Sequence, residues 1–152
     1  VASDSREVTP GSLFVCKGAH FSPAYLASAV EAGAAAYLCQ QSLAEELQAV
    51  APNVAAICVD DVRLAMAYAA AGVAGHPDKK LTTIGITGTK GKSTCSYMLR
   101  AILDGDEPYS KCGVIGGIEV FDGKDTQPAH NTTPEAPELW RHLKHAADAG
   151  LP

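Results

Sequence analysis

The stretch Gly85-Ile-Thr-Gly-Thr-Lys-Gly-Lys-Ser-Thr94 closes a run of β-formers and opens a helix-like run. Strand, glycine-rich turn and helix start, in that order, make a nest of backbone N–H groups at the positive end of a helix dipole, and such a nest holds anions. The general phosphate-loop pattern places four residues between a first glycine and the Gly-Lys-Ser/Thr ending. Here that first position is Ile86, and the nearest glycines are Gly85 and Gly88. The chemistry still fits: Gly88 and Gly91 allow positive φ and close backbone approach, Lys92 can reach terminal phosphates, and Ser93 or Thr94 can place a hydroxyl on Mg²⁺. The plainer alternative is a strand-to-helix turn with an exposed lysine pair, and the flanking elements favour the nucleotide loop.

Working outward, residues 81–87 read as the strand before the loop and 91–103 as the helix after it, stopped by Asp104-Gly105. Residues 111–116 read as a further strand, and Asp122-Gly123 as the tip of a small hairpin between residues 118–121 and the Thr126 region. A last helix is expected from Thr133-Pro134-Glu135 to about Ala149, with Pro134 in its first turn and Gly150 as its stop.

Before the loop the chain alternates. Strands are expected over 13–17, 35–39 and 54–59, and helices over 23–32, 42–50 and 62–74, capped by Ser22, Ser42 and Asp60-Asp61. Gly75-His-Pro-Asp-Lys-Lys80 combines a helix stop, a proline and a polar run, so a domain boundary is placed there, giving 1–77 and 78–152. The fold class is α/β: a small three-layer N-terminal domain, then the first part of a phosphate-loop α/β domain.

The 152 residues carry 47% hydrophobic and 19% charged residues, an ordinary globular composition. A net charge of −5 supplies no electrostatic reason for a nucleic-acid partner, so any anion site must be local. The five cysteines, Cys16, Cys39, Cys58, Cys95 and Cys112, are widely spaced and sit mostly in apolar runs, and they read as reduced core thiols of a cytoplasmic protein. No membrane-length apolar run and no signal peptide is evident. The chain starts at Val1 rather than Met, which suggests trimming, and Leu151-Pro152 falls where the next strand of an α/β domain would begin. His76, His130, His142 and His145 form no metal-ligand spacing, and a solvated helix face is the expectation for His142 and His145.

Thr-Gly-Thr-x-Gly-Lys-Ser/Thr, here Thr87 to Ser93, resembles the ATP loop of the Mur ligases and their relatives, the folylpolyglutamate and cyanophycin synthetases. Lys90 departs from the commonest family form, which has asparagine there, and adds a positive charge beside the phosphates. Asp4-Ser-Arg6, Pro10-Gly-Ser-Leu-Phe-Val15 and Gly18-Ala-His-Phe21 resemble the start of the uridine-nucleotide-binding domain of the UDP-N-acetylmuramoyl-peptide ligases. Asn131-Thr-Thr-Pro134 is similar to the sugar-nucleotide contact of the type that adds the third amino acid of the peptidoglycan stem.

The resemblance implies ATP-driven amide ligation through an acyl phosphate. The D-glutamate carboxylate of UDP-MurNAc-L-Ala-D-Glu would be activated, and a diamino acid, lysine or meso-diaminopimelate, would then displace phosphate. It assigns ATP to Gly88, Thr89, Lys90, Gly91, Lys92, Ser93 and Thr94, with Lys92 stabilising charge in phosphoryl transfer and Ser93 on Mg²⁺. It assigns the UDP substrate to Ser3, Ser5, Ala19, His20, Phe21, Asn131, Thr132 and Thr133. The second Mg²⁺ ligand, a carbamylated lysine and the amino-acid-binding domain of that family would lie past Pro152, so residues 1–152 alone are expected not to turn over. The full-length form is expected to be a monomer. Two readings of other classes stand beside this one: a substrate-binding module without turnover, and a small phosphate-loop kinase or ATPase.

Overall fold

The computed structural model describes residues 1–107, 111–129 and 131–152 of a mixed α/β chain that divides into two compact units, Val1–Val73 and Ala74–Pro152. In the first unit, β1 (Leu13–Val15), β2 (Ala36–Gln40) and β3 (Ala55–Val59) form a parallel sheet in that order. Phe14 pairs with Tyr37 and Cys39 with Cys58. Parallel neighbours need crossover connections. These are α1 (Pro23–Glu31) between β1 and β2, and α2 (Ala44–Val50) between β2 and β3, while α3 (Val62–Ala74) follows the last strand.

Tyr37, Leu38 and Cys39 of β2 are all buried, so the central strand is covered on both faces, as parallel strands require. On one face Phe14, Tyr37 and Cys39 pack with Leu26 and Ala29 of α1 and Leu47 of α2. Local signals start two helices: the Ser22 hydroxyl accepts from Ala24 N with Pro23 in the first turn, and Asp61 Oδ1 accepts from Leu64 N at 2.9 Å. The expected Ser42 cap is not used. A 3-10 turn over Gln41–Leu43 leads into α2, whose N-cap, Leu43, makes no side-chain cap.

The second unit holds α4 (Lys92–Asp104), an antiparallel sheet of β4 (Val114–Ile115), β5 (Glu119–Phe121) and β6 (Thr126–Pro128), and α5 (Ala136–Asp148). Residues 81–87, expected as a strand, carry no regular structure, and Ile84 is 58% exposed. A strand exists only through backbone pairing, and no described strand pairs with this segment. The hairpin forms with a four-residue connection, since Phe121 pairs with Thr126. Gly123 at its tip has φ +83, and a Cβ there would stand 2.8 Å from Ala149 Cβ, so only glycine lets this loop lie against the end of α5. α5 starts later than expected. Pro134 is buried ahead of it, Glu135 stays extended (ψ 159) as the N-cap, and Pro137 takes the first-turn position.

One buried cation joins α4 to the small sheet. Arg100, 6% exposed, donates from Nε to Asp104 Oδ2 and from Nη1 to Glu119 Oε1, each at 3.3 Å, and its guanidinium lies 5.0 Å over the Phe121 ring. Asp104 Oδ1 in turn accepts from Lys111 N and Cys112 N at 2.9 Å. Among the described residues, no helix is long and apolar enough to cross a membrane.

Replacing Arg100 by alanine strands two carboxylates that the fold holds largely out of water. Urea unfolding of R100A is expected to show a loss of about 3–5 kcal/mol, the usual cost of removing one partner of a buried pair, and a loss below about 1 kcal/mol, the value of a surface pair, would contradict this.

Candidate functional site

The loop between residues 85 and 91 runs over the surface into α4. Gly91, the N-cap, sits at φ +79, a left-handed conformation that glycine adopts without the steric cost a side chain brings. It offers no capping side chain, and the first turn holds no acidic residue, so the N–H groups that α4 cannot bond internally face no competing anion. Lys92 folds back over the loop and donates from Nζ to the Gly88 carbonyl at 2.7 Å. Gly88, Thr89, Lys90 and Thr94 are exposed, and Lys92 and Ser93 are half-buried at the first turn. The result is an open, uncapped helix start of 13 residues with two lysines beside it, an arrangement that can hold the oxygens of a phosphate chain.

In the first unit a crevice of about 370 Å³ opens at the carboxyl ends of the parallel strands. Cys16 and Gly18 after β1, Gln40 at the end of β2, and Asp60 and Asp61 after β3 line it, with Phe21. This edge is where open α/β sheets receive ligands. Of the expected substrate residues, Phe21 lines the crevice, its ring edge-on to Tyr25 at 6.5 Å, while Ala19 and His20 are exposed in the turn leading to it. The bridge Ala2↔Phe14 runs parallel to β1 and so directs Ser3 toward the same edge. Ser5 follows in a 3-10 turn whose N-cap, Asp4, accepts from Arg6 N at 2.9 Å. The Arg6 guanidinium holds the Asp4 carboxyl down at about 2. Burial pushes the Cys16 thiol up to about 12, so it lines the crevice as a neutral group. The sequence reading treated Asp60 and Asp61 only as helix caps and missed their place at the mouth; the available signal was their position one step past a strand end.

Asn131, Thr132 and Thr133 are exposed ahead of α5, in the second unit. Thr132 packs on the β4–β5 turn, where a Cβ on Gly117 would come within 3.3 Å of its Oγ1.

The expectation for His142 and His145 is overturned. His142 is 2% exposed and its Nδ1 lies 2.7 Å from Asp122 Oδ2, with His145 Nδ1 2.8 Å from the same oxygen. The hairpin tip brings the carboxylate to the helix face, a contact spanning 20 and 23 residues that no local spacing encodes. Burial alone would raise the Asp122 carboxyl, but hydrogen bonds from both imidazoles and from Asp125 N and Lys124 N hold it at about 2. His130 lies outside the described residues. Cys95 is exposed rather than in the core.

Residues 86–151 match the Mur ligase middle domain. This is the family that the spacing of the loop resembles. Along nearly its whole length it is similar to the UDP-N-acetylmuramyl-tripeptide synthetase of Bifidobacterium longum, with 37% identity over 99% of this chain and 28% of that protein. It is 36% identical to the UDP-N-acetylmuramoyl-L-alanyl-D-glutamate--2,6-diaminopimelate ligase of Clostridioides difficile, over 99% of this chain and 30% of that one. It is also 36% identical to the corresponding L-lysine ligase of Streptococcus thermophilus, over 97% of this chain and 29% of that one. The chain thus spans 28–30% of the length of these curated relatives. Within the Mur ligase middle domain, the matched span begins at Ile86 and takes in the loop, α4, the small sheet and α5.

The left-handed Gly91 is the conformational demand of this loop. Gly91→Ala is expected to cost about 1–2 kcal/mol, the penalty of a left-handed L-residue, read as a lower urea midpoint with unchanged slope; an unchanged midpoint would show that the helix start does not need that φ.

Proposed function

We propose that this chain supplies the substrate-nucleotide and ATP-binding parts of an ATP-dependent ligase of peptidoglycan precursor synthesis, which adds a diamino acid to UDP-MurNAc-L-Ala-D-Glu. The observation that carries the reading is the uncapped start of α4 with Lys92 folded over the Gly88 carbonyl at 2.7 Å. Loop residues 88–94 would cradle the phosphates of ATP. Lys92 would leave the Gly88 carbonyl for the β- and γ-phosphate oxygens and follow the charge that develops on them, and Lys90 would add a second positive charge at the rim. Ser93, half-buried in the first turn, would hold Mg²⁺, which when bound neutralises phosphate charge. Phosphoryl transfer asks of a protein mainly positioning and charge stabilisation, and a preformed loop of this kind provides both.

In the first unit the crevice at the strand ends would take the uridine nucleotide. Phe21 supplies an aromatic surface there, with Ser3, Ser5, Ala19 and His20 around its edge. Asn131, Thr132 and Thr133 would meet the sugar-peptide portion of that substrate. Relatives named for diaminopimelate and for lysine are equally similar to this chain, so the reading stops at a diamino acid. The work would take place in the cytoplasm, where ATP is available.

Fluorescent ATP-analogue titration of residues 1–152 should show Mg²⁺-dependent binding. Lys92→Ala should weaken it about tenfold or more, since one charge-assisted contact is worth about 1.5–3 kcal/mol; equal affinity in K92A would remove Lys92 from the site. Calorimetry with UDP should give a signal that survives K92A, because the crevice belongs to the other unit. Phosphate release with ATP, the UDP dipeptide and either diamino acid should stay at background for residues 1–152. ATP hydrolysis by this chain without the dipeptide would instead favour a self-contained ATPase.

A further inference from the structure

Among the described residues, one place brings three metal-ligating side chains of different residues together: Asp122, His142 and His145, whose donor atoms all lie within 4.8 Å of one another. We propose that these three residues form a binding site for a divalent transition-metal cation, zinc by preference, which clamps the hairpin tip to α5. The site shares no residue with the phosphate loop or the nucleotide crevice.

The carboxylate is built for the task. Asp122 is 2% exposed, and its Oδ1 is held by Lys124 N at 3.2 Å and Asp125 N at 3.3 Å, which leaves Oδ2 aimed at the helix. Both imidazoles meet that oxygen from positions one helical turn apart on α5, with their rings 6.3 Å apart and nearly perpendicular. Two imidazoles and one carboxylate are a donor set that suits zinc and its neighbours, with a fourth position left for water. His145, whose side chain is 31% exposed, provides the route in. Outside the three ligands, Glu138 Oε1 stands 3.8 Å from His142 Nε2, too far for a hydrogen bond but near enough to add negative charge beside the cation.

Without metal, the Nδ1–H groups of both rings hydrogen-bond to Oδ2 at 2.7 and 2.8 Å. Donors around a tetrahedral zinc stand about 3.3 Å apart, given bonds of about 2.0–2.2 Å. Seating the ion therefore means opening the two N···O separations by about half an ångström and bringing the two Nδ1 atoms, which lie within 4.8 Å of one another, to the same spacing, an adjustment that the partly exposed His145 can make. Each neutral ring then presents its Nδ1 lone pair to the cation and carries its proton on Nε2, facing Glu138 in the case of His142. The dication is balanced by Asp122 and Glu138.

The test uses residues 1–152, reduced and stripped of metal, titrated with Zn²⁺ against a chromophoric chelator and separately with Co²⁺. One equivalent should bind with submicromolar affinity, and the cobalt form should show visible bands of four-coordinate metal without the near-ultraviolet thiolate charge-transfer band. His145→Gln should weaken zinc about tenfold or more with an unchanged circular dichroism spectrum, because this side chain is partly exposed. Cys58→Ser should bind as the parent does; Cys58 Sγ lies 3.7 Å from Cys39 Sγ, a thiol pair that could compete for the ion. Absence of stoichiometric zinc binding, an undiminished affinity in H145Q, or a thiolate band that disappears in C58S would each overturn the proposal.

Discussion

The buried guanidinium of Arg100 is the interaction on which the second unit is organised. A cation at that depth is tolerable only with its charge answered, and Asp104 and Glu119 answer it from the same helix and from β5. Asp104 then holds the backbone of Lys111 and Cys112 and so anchors the chain just ahead of β4, while Phe121 lies under the guanidinium plane. The C-terminal end of α4 is thereby fixed to the sheet. Its N-terminal end, with Gly91 and Lys92, is the part that remains open to a ligand.

Asp122 solves the same problem with a different set of partners. Its two oxygens are divided between the backbone of its own turn and the imidazoles of α5, so the hairpin tip and the helix are held by one carboxylate. Gly123 beside it makes the approach sterically possible. In the first unit the organising constraint is burial rather than charge: a parallel sheet whose central strand is covered on both faces keeps its strand ends as a free edge, and the crevice lies there.

Features set within a few residues could be read directly. The Ser22 and Asp61 caps, the stop of α4 at Gly105 and the glycine turn into α4 each depend on neighbours four positions away or less. Features that depend on distant partners could not. Residues 81–87 have the composition of a strand, yet composition does not provide the neighbour that makes one. His142 and His145 look like a polar helix face until the hairpin places Asp122 over them.

By itself, then, the sequence determined an α/β chain in two parts with a glycine-lysine loop at a helix start, because turn, cap and hydrophobic period are local properties. Its motifs also pointed to the Mur ligases, through the resemblance of the loop spacing and of its order relative to the N-terminal segments. Only the tertiary structure decided which charged groups are buried, which strand ends form a crevice and which imidazoles meet a carboxylate. Those outcomes follow from chain segments far apart in sequence being forced to pair their charges and backbone groups as water is excluded.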